Sequence, residues 1–456
     1  MRFSFLKLVA IFIFLQQAAL ANPYWDQAKV PKDSSYASSR LLMPDVKSLK
    51  VVTTTDAIDV LRVQVDWQPQ GEVYSVSKMM IEPSGTPALL ARSTHKPKWG
   101  SYLGVLKDSK GQTLYYDSVG TGREYRKLTR AMTFRFPVPK QDMTFELFAE
   151  NPKSGAMELV VSKHIAANQL PKLQRQMAGV EVRQLALASK SPAIRVNIYA
   201  DGYLQNEKET FWQHAQKTVR ALQGENFPGV EYMSFYAVYH DSNVKLGRAK
   251  DLGLPVQERD SFLGLYYPYW DNFGRWYNIV YPTREDKMRT GLATAPYDYP
   301  IILVNNDEYW GVGNYMAFTA IPAASSYNFN YLLIHEFGHF FGLNEEYEGG
   351  GRTELEFADD MVEPWSQNIT FLTDVSHAKL KWNQFVDPQL SLPTPRSKWK
   401  QNPPVYGAYL GGYADSSSSK GRSHKPGLHC VMENKVGFCD ICQHGIKAVV
   451  QYGLGN

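Results

Sequence analysis

The chain has 456 residues, a formal net charge of +4, 44% hydrophobic residues and 21% charged residues. That length predicts two or three domains, and the balance is that of a globular chain rather than a disordered one. So small a charge on so long a chain gives no electrostatic footprint for nucleic acid or an anionic membrane surface. Aromatic residues make up 13%, with 28 Tyr and 10 Trp, a content that suits strand packing or a sugar- or peptide-binding surface.

The first 21 residues read as a secretory signal. Arg2 and Lys7 supply the positive start, Leu8 to Leu15 an apolar core, and Ala19-Leu20-Ala21 a small-residue cleavage site. The apolar run is short and Gln16-Gln17 ends it, which argues against a spanning anchor. The mature protein is therefore expected to be soluble and secreted or periplasmic, with no membrane span. Asn22 to about Ser48 is polar and broken by proline, an extended lead-in.

Short strands follow. Ile58 to Asp66 and Met143 to Ala149 alternate apolar and polar residues, as half-buried strands do. Met132 to Phe136 and Leu159 to Val161 fit strands as well. Turn-forming stretches separate them, at Pro83-Ser84-Gly85, Asp108 to Gly111 and Asn151 to Gly155. Residues 22–167 are expected to form an antiparallel β-sandwich of accessory function. Residues 168–191, polar and rich in Lys and Arg, read as a linker with room for a short helix.

Residues 192–456 carry the chemistry. Ala193 to Ala200 reads as a core strand. Glu207 to Leu222 is an amphipathic helix with Phe211, Ala215, Val219 and Leu222 on one face. Glu231 to Tyr239 and Pro300 to Asn305 are further strands, and Asp260 to Arg289 is an aromatic surface excursion. Strand and helix alternate, giving an α+β or α/β domain. Tyr309 to Ala320 is placed either as an edge strand that could pair with extended substrate or as a hairpin packed on the next helix. Pro388 to Tyr413 and Ser416 to Ser423 read as irregular, and Asp440 to Tyr452 as a closing helix.

The informative stretch runs from His335-Glu336-Phe337-Gly338-His339 to Tyr347. On a helix the two histidines, four apart, share a face one turn apart, a spacing that suits two ligands of one Zn²⁺. Glu336 can serve as general base toward a water at that ion. Tyr331 to Ile334 provides an apolar run before the motif, and Gly342 stands where a glycine ends a helix at positive φ. Glu345 is the leading third ligand, with Glu346 next to it and Glu356 or Asp360 on a later segment as alternatives. Tyr347 is a candidate oxyanion donor or a packing residue. Met432, in Cys430-Val431-Met432-Glu433-Asn434, stands where a methionine turn would floor the site.

The chain has three cysteines, Cys430, Cys439 and Cys442. In an oxidising compartment one disulfide is expected, joining Cys430 to Cys439 or Cys442 and leaving a thiol over. A second zinc site at Cys439-Asp440-Ile441-Cys442 is the alternative. Asn368-Ile369-Thr370 matches a glycosylation sequon.

Together these features resemble the IgA-peptidase-like (M64) family of zinc metallopeptidases. The matching stretches are Ala200-Asp201-Gly202-Tyr203, then Val304-Asn305-Asn306 leading to Tyr309 and Gly313, then the histidine motif through Tyr347. Cys430-Val431-Met432 and Phe438 to Cys442 complete them. The resemblance spans about residues 193 to 446, with a weaker likeness in the strand-rich N-terminal part. It implies a secreted zinc endopeptidase of zincin-like, metzincin-type fold with a methionine turn, acting on a protein or glycoprotein substrate. Family members more often have Asp-Glu-Tyr at slightly longer spacing where this chain has Glu345-Glu346-Tyr347. A contrasting expectation is an exported glycan- or protein-binding module whose peptidase-like domain has altered or lost activity. A non-peptide zinc hydrolase such as a cell-wall amidase would use the same residues. The oligomeric state is left open by the sequence.

Overall fold

The computed structural model describes residues 51, 57–68, 73–120, 130–151, 154–173, 178–243, 261–266, 281–282, 285–305, 311–323, 329–347, 363–400, 405–412 and 423–456. The expected signal segment, the lead-in to Ser48, Asn306, Tyr309, Glu356, Asp360 and the Ser416 loop lie outside them. The molecule is a mixed α/β structure with several sheets, in an α+β arrangement.

The described residues of the N-terminal part form seven strands and one helix. They are β1 (Ile58–Gln68), β2 (Val73–Gly85), α1 (Pro87–Arg92), β3 (Tyr102–Lys107), β4 (Thr113–Val119), β5 (Arg130–Pro137), β6 (Met143–Glu150) and β7 (Met157–Ile165). They form two antiparallel sheets, ordered β2-β1-β5 and β4-β3-β6-β7. Period-two alternation puts Met143, Phe145, Leu147 and Ala149 of β6 inside. Both sheets feed one apolar cluster, in which Leu61, Val63 and Val65 of β1 meet Phe134, Phe136, Phe145 and Leu147.

β1 departs from the half-buried expectation. Its polar alternants are buried too, Arg62 at 1% and Gln64 at 7% exposure, because that face meets the C-terminal part rather than water. Arg62 Nε pairs with Glu82 at 3.0 Å. Arg135 donates to the Tyr297 carbonyl at 3.1 Å, lies over the Tyr297 ring at 3.9 Å, and stands 3.7 Å from Glu82. Thr133 donates to Glu285 at 3.1 Å, and Arg92 pairs with Asp298 at 3.4 Å. Trp365 Nε1 donates to Ser101 Oγ at 3.1 Å. A buried polar seam thus joins the two parts.

The stretch expected as a linker carries a strand. After a 3₁₀ turn at Ala167–Gln169, Glu181–Ala186 forms β8, the outer strand of the next sheet, antiparallel to its neighbour. Only Val182 and Leu185 are buried there. So short and polar an edge strand carries little apolar signal.

The C-terminal part continues with β9 (Ile194–Asp201), α2 (Lys208–Gly224), β10 (Met233–Tyr239), β11 (Leu265–Tyr266), β12 (Tyr281–Pro282) and α3 (Glu285–Leu292). Then come β13 (Tyr299–Val304), β14 (Val312–Asn314), β15 (Phe318–Pro322), α4 (Phe329–Phe340), β16 (Tyr409–Leu410), β17 (His424–Lys425) and α5 (Asp440–Gly453). Six strands make a sheet ordered β14-β15-β13-β9-β10-β8. The inner four run parallel, and β14 and β8 are antiparallel edges. Every residue of β9 and β13 is buried, as inner parallel strands covered on both faces require.

One face carries α2 and α4, with Phe211, Ala215, Val219 and Leu222 fully buried against Phe337, Phe340 and Phe341. The other face packs Leu263, Leu265, Met288 and Leu292 against Tyr199 and Ile302. The described ends of the expected surface excursion are therefore core, not surface. None of the described helices is long and apolar enough to cross a membrane.

Candidate metal centre

α4 runs Phe329–Phe340 with its apolar residues turned into the core. It ends where expected, with Gly342 at φ 85° and the Leu343 amide donating back to the Gly338 carbonyl at 3.3 Å. This reversal brings the chain after the helix back over the histidine face.

Three side chains converge there. His335 Nε2 and His339 Nε2 lie 3.2 Å apart. The two oxygens of Glu345 stand 3.1 Å from His335 Nε2 and 3.2 Å from His339 Nε2. Each imidazole is aimed from behind, His335 Nδ1 at the Val431 carbonyl (2.9 Å) and His339 Nδ1 at the Leu343 carbonyl (2.8 Å). A carbonyl only accepts, so both Nδ1 atoms carry hydrogen and both Nε2 atoms are left to face Glu345.

Two lone pairs and a carboxylate turned toward one another call for positive charge between them. Without a metal, protons supply it. Burial opposes charge on both imidazoles, but Glu345 outweighs it, raising His335 and pushing His339 up to about 9. Burial likewise opposes ionisation of Glu345, and the two histidines overcome this and hold it well below the usual carboxylate range. With N and O donors about 2.0–2.2 Å from a tetrahedral ion, the donors themselves stand about 3.3–3.6 Å apart. The triangle seen here is within a few tenths of an ångström of that, so the residues fit a metal such as zinc.

The two adjacent carboxylates part company. Glu346 points away from the histidines, is 0% exposed, and accepts from Asn368 Nδ2 at 2.9 Å. Of the two described residues weighed as third ligand, Glu345 is the one brought to both histidines; Glu356 and Asp360 lie outside the described residues.

A family model described as IgA Peptidase M64 matches residues 183–403 and 400–450, more than half of the chain. The chain belongs to the IgA peptidase M64 family. No curated protein matches it.

Membership in the M64 family makes this chain one of a family of peptidases, hydrolases whose substrates are proteins. The matched region begins within β8, in accord with β8 belonging to the sheet that positions the site. Glu336, 8% exposed, sits next to the coordinating face, close enough for its charge to favour the protonated form of both histidines. Its side chain lies against Gly311, where a Cβ would collide with it. A Cβ on Gly313 would collide with the Glu336 carbonyl and come within 2.8 Å of the His339 Cβ. β14 therefore runs directly along α4 and is both the sheet edge and one arm of a hairpin with β15. The sequence shows both glycines but not that they set the spacing that seats the helix.

Met432 in the M64 chain is fully buried, and a Cβ on Gly338 would be 2.9 Å from its sulfur. The turn that carries it is closed by Glu433 N and Asn434 N donating to the Cys430 carbonyl at 2.9 and 2.8 Å. Tyr347 stacks beside His335, with centroids 6.1 Å apart. The expected disulfide is not formed: Cys430, Cys439 and Cys442 are all free and buried. Their sulfurs gather with Glu346 instead of pairing. Asn368 and Thr370 of the sequon are also fully buried, and the Asn368 amide is engaged by Asn344 and Glu346, so the folded protein offers no glycan acceptor there.

Proposed function

We propose that this chain is an exported zinc endopeptidase with a zincin-like catalytic domain, a methionine turn at Met432, and a preceding β-sandwich that supports it. The observation that carries the reading is the triangle of His335 Nε2, His339 Nε2 and Glu345, each pair 3.1–3.2 Å apart, with Glu336 alongside. In this reading His335, His339 and Glu345 hold Zn²⁺. When bound, the metal acidifies a water and polarises the scissile carbonyl.

The remaining work belongs to side chains. Glu336 takes the proton of the attacking water and passes it to the departing amine. The Val431 and Leu343 carbonyls keep the imidazoles in the tautomer that leaves Nε2 open. Tyr347, beside His335, is the candidate donor to the developing oxyanion. β14, the antiparallel edge beside α4, offers backbone groups to an extended peptide, so substrate would add as a further strand. The N-terminal secretory pattern supports export.

Dialysis against a chelator should abolish cleavage of an unstructured protein, and added zinc should restore it. Undiminished cleavage by chelated, metal-free protein would refute the reading.

A further inference from the structure

We propose a second, structural zinc site built from Cys430, Cys439, Cys442 and Glu346, set behind the histidine centre and separate from it. One ligand atom of each residue lies within 4.8 Å of the others, and all four residues are buried. Cys442 Sγ is 3.0 Å from Glu346 Oε1. Around a tetrahedral zinc, with bonds of about 2.3 Å to sulfur and 2.0–2.2 Å to oxygen, the donors stand about 3.3–3.8 Å apart. Small side-chain adjustments, opening the Cys442–Glu346 pair and drawing in the wider ones, reach that geometry.

The carboxylate is the second observation. Glu346 is 0% exposed, and its Oε2 has no hydrogen-bond partner. Burying a carboxylate oxygen without a partner is unfavourable, and a cation among the thiols relieves it. Lys425, also fully buried, directs Nζ to the Glu346 carbonyl at 2.8 Å and to Glu433 at 2.5 Å. It therefore lies near the cluster and offsets part of the negative charge that three thiolates and a carboxylate leave on a zinc ion. Asn368 Nδ2, donating to Glu346 Oε1 at 2.9 Å, orients the carboxylate as an outer partner does for a ligand.

A disulfide would use two of the three sulfurs and leave a thiol and the unpartnered carboxylate together in the core. A metal uses all four groups. It also joins three segments that meet at the histidine centre: the irregular Glu345-Glu346 segment after α4, the turn whose Val431 carbonyl holds His335, and the N-terminus of α5, where Cys439 is the cap. Binding there would be folding energy for the C-terminal half of the site.

The test is metal content of the full chain, purified without chelator, with cobalt exchange. Wild type should carry two zinc equivalents. His335→Ala/His339→Ala should keep one, and its cobalt form should show thiolate-to-cobalt charge-transfer absorption that Cys442→Ser loses. Should either variant fail to fold, cobalt-exchanged wild type must still show the thiolate band. Absence of that band, or a peptide map under non-reducing conditions that recovers Cys430 linked to Cys439 or Cys442, overturns the proposal. A wild type with one equivalent and the band supports this site and sinks the histidine centre. One equivalent without the band does the reverse.

Discussion

At the scale of single residues, the site turns on which way two adjacent glutamates face. Glu345 meets both histidines, and Glu346 is turned into the thiol cluster. Glu345→Ala should therefore lower zinc affinity at the histidine centre by more than the roughly 10–100-fold that outer partners contribute. Competition with a chromophoric chelator would measure it, and an unchanged affinity would contradict the assignment. The histidine pair and Glu336 could be read from spacing, because a helix converts four residues into one turn of one face. The choice between the glutamates could not. Both stand in irregular chain after the helix, where side-chain direction is decided by contacts with Asn368, Met432 and Lys425, all distant in sequence.

Elements place those residues. β14 approaches α4 so closely that glycine is required at its centre. Gly313→Ala would push strand from helix, with an expected destabilisation of about 1–3 kcal/mol and weaker metal binding. Chemical denaturation checks the first, and a wild-type midpoint would show that the contact is loose. At the end of β9, Asp201 is fully buried and accepts from Ser261 Oγ (2.9 Å) and the Leu263 amide (2.8 Å). Burial pushes its carboxyl up to about 6 against these bonds.

A carboxyl raised in the folded state contributes stability below its unfolded value near 3.8, and that contribution is lost as pH rises through about 6. The loss is about 3 kcal/mol. The stability of wild type relative to Asp201→Asn should fall between pH 4 and pH 6.5 in denaturant titrations. A difference that is flat or rises would contradict this. β9, α2, β10, β13 and α5 were legible because their periodicities are long and apolar. β8 was not, since an edge strand with two buried residues reads as linker.

For the whole molecule, the finding is that the N-terminal sheets are fused to the C-terminal part rather than tethered to it. Arg62, Glu82 and Arg135 form a buried charge cluster, and Arg135 reaches Tyr297 across the seam. Removing the shared acid leaves two buried cations, so Glu82→Ala should cost about 3–5 kcal/mol and lower the unfolding temperature of the entire chain in one transition. Two separate transitions, with the C-terminal part unchanged, would show independent domains. Polar alternation in β1 looked like a solvent-facing stripe because a single sequence records polarity and not what lies opposite it.

In the proposed function, His335, His339 and Glu345 hold a catalytic metal beside the base Glu336. Zinc content and peptide-bond hydrolysis, measured on one preparation each of wild type and Glu336→Gln, test it most directly. Equal zinc is expected in both, with a fall in turnover of about 10²–10⁴-fold in the variant. Full hydrolysis by Glu336→Gln, or a wild type that binds no metal at the histidines, would contradict it.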